Sequence, residues 1–234
     1  MQVKLNVIVG AIVTMAAFAV SAQEAVVKIG HVAPMSGPQA HYGKDNENGA
    51  RMAVEDLNAK GVMINGKKVK LELMAEDDAA DPKQGTAVAT KLCDAKVNGV
   101  VGHLNSGTTI PASKVYNECG LPMVTGAATN PKLTQQGFKN VFRIIANDNA
   151  LGAGLALHAA NNLKLKRVAI IDDRTAYGQG VAEDFKKTPQ ARGIQIDHVQ
   201  ALRAFGGIAS RQCHGVEVVV ALLVVVALRK AHHA

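Results

Sequence analysis

Apolar and polar positions along this chain alternate between two periods. Residues 26–33 form a β-branched apolar run that stops at Pro34, the pattern of a buried strand. Residues 44–60 carry Ala50, Ala53, Val54 and Leu57 on one helical face, and Gly61 follows as a stop signal. Asn65-Gly66 is a turn dipeptide, and the alternation over 69–75 predicts the next strand. Asp81-Pro82 opens a helix through Val88, Leu92 and Ala95, with Asn98-Gly99 closing it. A short buried strand at 100–102, a helix from Ser106 to about Cys119 and a strand at 122–125 come next. Residues 142–145 are extended, and Asp148 is expected to cap a helix through Leu151, Leu155 and Ala159. A strand at 168–171, a helix over 180–187 and the start of a strand at 193–196 complete the rhythm. Such alternation builds right-handed βαβ units around parallel sheets, so the expected fold class is α/β. Ligands of these sheets collect beyond the carboxyl ends of the strands.

The two ends of the chain read differently. Lys4 precedes the apolar run 5–20, and Val20-Ser21-Ala22 ends it with small residues. This is the pattern of a cleaved secretory leader over residues 1–22, shorter than the roughly 20 apolar residues of a membrane anchor. Export to the periplasm is the expectation, with the mature chain starting at Gln23. Beyond Ile196 the rhythm stops. Residues 197–234 are rich in Ala, Val, Arg, His and Gly, and their apolar run at 218–228 is too short for a bilayer and fits no simple period, though a buried strand is one reading of it.

Composition removes several functions. The formal charge is +7, but the basic residues are scattered and interrupted by Glu76-Asp77-Asp78, so charge reads as solubility and no nucleic-acid partner is expected. Trp is absent and aromatics make up 3%, which argues against platforms that stack sugars or bases. The three cysteines include no C-x-x-C pair, so no zinc site is expected. In an oxidising compartment Cys93 and Cys119 can pair and leave Cys213 over; two separate buried thiols remain the other reading. G-x-S-x-G, G-x-x-x-x-G-K-[ST] and H-E-x-x-H are all missing, so no catalytic residue, metal or cofactor is assigned. Asp77 and Asp78 read as a solvated strand end and Asp81 as a helix cap. His31, His41 and His103 read as surface or loop residues.

Two strand ends carry candidate chemistry. Gly102-His103-Leu104-Asn105-Ser106-Gly107-Thr108-Thr109 leads from a strand into a helix whose free N–H groups and dipole suit an anion, although Ser106 or Thr108 could merely cap that helix. Gly126-Ala127-Ala128-Thr129-Asn130-Pro131 follows the next strand and adds a hydroxyl and carbonyls, or else is a plain turn. Paired loops of this kind suit a zwitterion. A third strand end, Asp172-Asp173-Arg174-Thr175-Ala176-Tyr177-Gly178, offers Tyr177 to close over a ligand.

Ordered motifs make the reading specific. Val32-Ala33-Pro34-Met35-Ser36-Gly37-Pro38 with Tyr42-Gly43, Asp77-Asp78-Ala79 with Asp81-Pro82-Lys83-Gln84, Gly102-His103-Leu104, Pro111-Ala112-Ser113, Ala127-Ala128-Thr129 and Tyr177-Gly178 resemble the periplasmic leucine/isoleucine/valine-binding proteins of ABC importers from about Val26 to Ile196. The resemblance implies a periplasmic-binding-protein-like fold of two α/β lobes, the first over residues 23–145 and the second starting over 146–196. It implies a non-enzymatic, monomeric receptor that hands a branched-chain amino acid to a membrane permease. By the same resemblance Ser106 and Thr129 hold the carboxylate, while the Ala127 carbonyl and the Thr129 hydroxyl hold the ammonium. Ala128 and Asn105 fall within these loops, Tyr42 and Leu104 line the side-chain pocket, and Tyr177 closes the site. The alternatives are a receptor for another small amide or amino acid, an exported hydrolase, or an inactive product.

Three departures from the resembling family stand out. A disulfide that some members place at the positions of Ala80 and Asn105 is absent. Pro189 lies where members continue a helix, at a cost of about 3 kcal/mol for an interior position. Nothing after Ile196 reads like the family, and the acidic residue that completes its ammonium site falls there. The expectation is a frameshifted, truncated second lobe that clasps its ligand from one side and binds weakly.

Overall fold

The computed structural model describes residues 24–190, 193–201, 219–221 and 224–226. The leader predicted over 1–22, Cys213 and most of the tail lie outside them. The first sheet contains β1 (Ala25–Ala33), β2 (Val62–Ile64), β3 (Lys67–Asp77), β4 (Gly99–Gly102), β5 (Met123–Thr125) and β6 (Val141–Arg143). Their order is β2-β3-β1-β4-β5-β6, parallel throughout except for the β2–β3 hairpin. Asn65 and Gly66 turn that hairpin with φ of 50° and 74°, the left-handed pair that a tight two-residue turn needs.

Helices α1 (Ala40–Lys60), α2 (Pro82–Asp94), α3 (Ser106–Glu118) and the short α4 (Lys132–Gln135) connect these strands. Helix α1 starts earlier than the periodicity predicts because a 3-10 turn over Gly37–Gln39 leads into it. Gly43 permits that entry: a Cβ there would lie 2.0 Å from the Pro34 carbonyl oxygen. Asp81 caps α2 as expected, accepting from the amides of Lys83 and Gln84. Four-residue α4 was not predicted; it is too short to show a period.

The second sheet contains β7 (Arg167–Asp172), β8 (Gln195–Ala201), β9 (Val219–Ala221) and β10 (Val224–Val226), in the order β10-β9-β7-β8. Helices α5 (Asp148–Leu157), continued by a π-helical turn over His158–Asn162, and α6 (Ala176–Gln190) accompany it. Asn147, not Asp148, caps α5 by accepting from the Asn149 amide. The Asp148 amide instead donates to the Thr129 carbonyl at 3.0 Å and ties the helix start to the first lobe. Helix α6 runs on through Pro189 to Gln190. β8 continues past Ile196, and the run 218–228 supplies two short strands, β9 lying parallel on β7.

Each sheet has its own core. Val32, Val88, Leu92, Val100, Tyr116, Met123 and Leu133 fill the first, and Ala156, Val168, Ile170, Ala182, Phe185 and Ile194 the second. The expectation of surface or loop residues fails for His31, which is on a strand and fully buried; His103 is in the loop after β4, as one of those readings had it, but is fully buried too. His31 lies on β1, whose neighbours β3 and β4 flank it, and His103 directly follows β4. His41, at the start of α1, is exposed. Neither His31 ring nitrogen makes a well-formed hydrogen bond, and burial holds its pKa below the ordinary 6.5, with the Val101 backbone offsetting only part of that effect. Below about pH 6.5 the unfolded chain therefore takes up a proton that the folded one refuses. Stability present above that pH should be lost as pH falls toward the folded pKa. Urea unfolding between about pH 7 and pH 5 should show this loss, and His31→Leu should flatten it.

Cys93 at the end of α2 and Cys119 after α3 form a disulfide with a Cα–Cα distance of 6.2 Å. The bond closes a loop of 26 residues, which corresponds to about 3.5 kcal/mol of chain-entropy stabilisation. Non-reducing mass spectrometry should recover a linked peptide, and Cys93→Ala with Cys119→Ala should lower stability by about that amount. A cavity of about 330 Å³ beside the bond, lined by Lys96, Asn98 and Pro122, opens at the amino ends of β4 and β5, away from the candidate loops.

Candidate functional site

β4 and β5 are parallel neighbours in register from Val100↔Met123, so the loops at their carboxyl ends emerge side by side. Gly102 makes this possible at β4. Its φ of 134° favours glycine, and a Cβ there would lie 2.3 Å from the Val32 carbonyl oxygen. The Thr125 hydroxyl then locks the loops together. It donates to the His103 carbonyl at 2.8 Å and accepts from the amides of Ala127 at 3.2 Å and Ala128 at 3.0 Å.

Ser106 is the first residue of α3 and is buried. It does not cap its own helix, whose cap position is Asn105. Its Oγ accepts from the Asn130 amide at 3.2 Å, which leaves the hydroxyl proton free to donate to a ligand. Thr108 and Thr109 are not caps either; both hydroxyls donate to the Asn105 carbonyl. The amide end of a 13-residue helix thus meets a hydroxyl donor, a combination suited to a carboxylate. The Asn105 side chain donates to Gln39 at 2.8 Å, joining this loop to the entry of α1.

Beneath the loop lies a polar chain that the sequence reading missed. His103 Nδ1 lies 2.8 Å from Asp78 Oδ2, and Nε2 lies 2.9 Å from the Tyr116 hydroxyl. With Nδ1–H donated to the carboxylate, Nε2 accepts from the phenol. Burial, then the Asp78 charge, push the Tyr116 pKa far above its ordinary value, so this hydroxyl keeps its proton. The reading of Asp78 as a solvated strand end is therefore wrong: it is fully buried and also accepts from the Ala80 amide. Asp77 is committed too, to the amides of Met35 and Ala79.

The second lobe meets the first at Asn130. Asn130 Nδ2 donates to the Ala176 carbonyl at 2.6 Å, and a Cβ on Gly180 would lie 2.5 Å from that nitrogen. Tyr177 is therefore carried on a helix start docked against the second candidate loop. It is half-buried, and burial, then Asp148 and Asp173, raise its pKa. Asp172 and Asp173 shape the preceding turn by accepting from the Arg174 and Thr175 amides.

Ser106, Asn105, Ala127, Ala128 and Thr129 thus come together at one edge, with Leu104 half-buried beside them and Tyr177 on the adjoining helix. Tyr42 stands apart: it is 58% exposed and its ring lies against His41 at 3.9 Å. Asn130 and Asp148, which bond the second candidate loop to the Ala176 carbonyl and to the start of α5, were not singled out from the sequence. Asn-Pro read only as a turn, and an acid at a helix start reads as a cap.

The periplasmic binding protein family matches residues 26–203, a little beyond Ile196, where the sequence resemblance was read as ending. The chain is 44% identical over 190 residues to the Leu/Ile/Val-binding protein BraC3 of Rhizobium johnstonii, covering 81% of this chain and 51% of that protein. It is 40% identical over 178 residues to the leucine-, isoleucine-, valine-, threonine- and alanine-binding protein of Pseudomonas aeruginosa, covering 76% and 47%. The crystal structure of the branched-chain amino acid transporter substrate-binding protein LivJ from Streptococcus pneumoniae with isoleucine superposes with a TM-score of 0.72 at 27% identity, covering 84% of this chain and 56% of that one. The leucine-binding protein LivK of Thermotoga maritima gives 0.73 at 27% identity, covering 83% and 55%. The chain spans about half the length of the curated relatives it matches. Strand-end loops of this kind on a two-sheet α/β scaffold, together with a family match over most of the residues, place the chain in the periplasmic binding protein family.

Proposed function

We propose that this protein is the extracytoplasmic substrate-binding component of an ABC importer, taking up leucine, isoleucine or valine and delivering it to a membrane permease without chemical turnover. The observation that carries the reading is the pairing of Ser106 and Thr129 on loops locked side by side by Thr125. A free hydroxyl proton at a helix amide end suits the ligand carboxylate, and the Ala127 carbonyl with the Thr129 hydroxyl suits its ammonium. Leu104 would bound an aliphatic side chain, and Tyr177 would close from the second lobe. Both relatives bind leucine, isoleucine and valine, one of them threonine and alanine as well, which supports a small and mainly aliphatic amino acid. The protein acts in this reading as a periplasmic monomer, with the permease as its partner. Among the described residues no helix is long and apolar enough to cross a membrane. Calorimetric titration of the purified protein with leucine, isoleucine, valine and glutamate tests the proposal. Saturable one-to-one binding of the aliphatic set, with glutamate rejected, is the expected result; no response to any of the three removes it.

A further inference from the structure

Asn130 is 2% exposed and bonds four separate segments of the chain. Its amide donates to Ser106 Oγ at 3.2 Å, and its carbonyl accepts from Arg143, the last residue of β6, at 3.2 Å. Its side-chain oxygen accepts from the Lys132 amide at 2.9 Å, which fixes the turn into α4. The side-chain nitrogen alone among these groups leaves the first lobe, donating to the Ala176 carbonyl at 2.6 Å. The Asn130 backbone therefore serves the ligand loops, while Nδ2 serves the contact with the second lobe.

Gly180, one turn along α6, is the counterpart on the other side. A Cβ there would lie 2.5 Å from Nδ2, and its three nearest atoms would all belong to the Asn130 side chain. Alanine suits a helix interior better than glycine, so α6 by itself gives no reason for a glycine at this position. The clearance matters only when the lobes are together. The Ala176 carbonyl immediately precedes Tyr177, so the same bond fixes where the tyrosine assigned to closure begins.

We propose that Asn130 is a positioning residue for ligand retention, whose Nδ2 holds the second lobe against the first while Gly180 supplies the clearance. The proposal rests on the amino-acid reading above. Asn130 touches no ligand in this assignment. A bond made only between closed lobes favours the closed state whatever the ligand, so it slows release without changing how the open site is entered. Affinity then follows the closed fraction, whereas recognition stays with Ser106 and Thr129.

The test measures leucine affinity by calorimetry and both rates by stopped-flow tyrosine fluorescence. The proteins are the wild type, Asn130→Ala, Asn130→Asp, Gly180→Ala and the Asn130→Ala/Gly180→Ala pair. Asn130→Ala should release leucine about three- to tenfold faster at an unchanged association rate, the effect of one neutral hydrogen bond. Asn130→Asp keeps the acceptor for Lys132 but turns an oxygen toward the Ala176 carbonyl, so it should release leucine at least as fast. Gly180→Ala should also speed release, yet add nothing once Asn130→Ala has removed the side chain it would strike. An association rate that falls in step with affinity would mark a misshapen first-lobe loop and overturn the proposal. Unchanged release in Asn130→Ala, or additive effects of the two substitutions, would overturn it as well. Gly180→Ala leaves the ligand loops intact and answers alone if an Asn130 variant does not fold: unchanged release there overturns the proposal. A wild-type protein that binds none of leucine, isoleucine and valine overturns the parent reading and this one together. One that binds them with release indifferent to both substitutions overturns this one only.

Discussion

Replacing Ser106 and Thr129 together by alanine is expected to weaken leucine binding by about a hundredfold or more. Each hydroxyl would contribute a charge-assisted hydrogen bond to the ligand, typically about 1.5–3 kcal/mol, and the two act on different loops. Ser106 also receives the Asn130 amide, so its loss loosens the junction between those loops. Single variants should therefore weaken binding by less than the pair does. Thr125→Val is a useful companion. It removes the hydroxyl that bridges the His103 carbonyl to the amides of Ala127 and Ala128, without touching any group assigned to the ligand. Calorimetry on these variants beside the wild type separates loss of contacts from loss of alignment. Unchanged affinity in the double variant would remove the site assignment.

The second large effect is on folding. Asp78→Ala should lower stability by about 3–5 kcal/mol, because it leaves the buried His103 Nδ1 without its partner and opens a gap under the first ligand loop. For a chain of this size that corresponds to a melting temperature roughly 10 °C lower by circular dichroism. Asp78→Asn keeps an acceptor for the imidazole and should cost clearly less. Tyr116→Phe removes only the far hydrogen bond and should cost about 1 kcal/mol. A loss below about 1 kcal/mol in Asp78→Ala would show that the Asp78–His103–Tyr116 chain does not anchor the loop.

What the sequence determined by itself is what local physics controls. Strand and helix periods, the Asp81-Pro82 start and the Asn65-Gly66 turn are legible because a backbone preference or a cap acts within a few residues. Ordered motifs carried the family, and the βα order placed the candidate chemistry at the ends of β4 and β5. Tertiary structure decided which polar side chains are buried and what each one meets. Asp78, His103 and Tyr116 lie 25 and 13 residues apart along the chain and share no period. Only the parallel stacking of β1 against β3 and β4, with α3 laid across the sheet, closes them into one network and hides His31. Asp148 shows the same limit. An acid at a helix start looks like a cap in any sequence, and the Asn147 cap and the Thr129 carbonyl together turn it into a covered carboxylate facing Tyr177. The tail follows the same rule. The run 218–228 has no period of its own, and β9 becomes a strand by pairing with β7, a contact that exists only once the second sheet has formed.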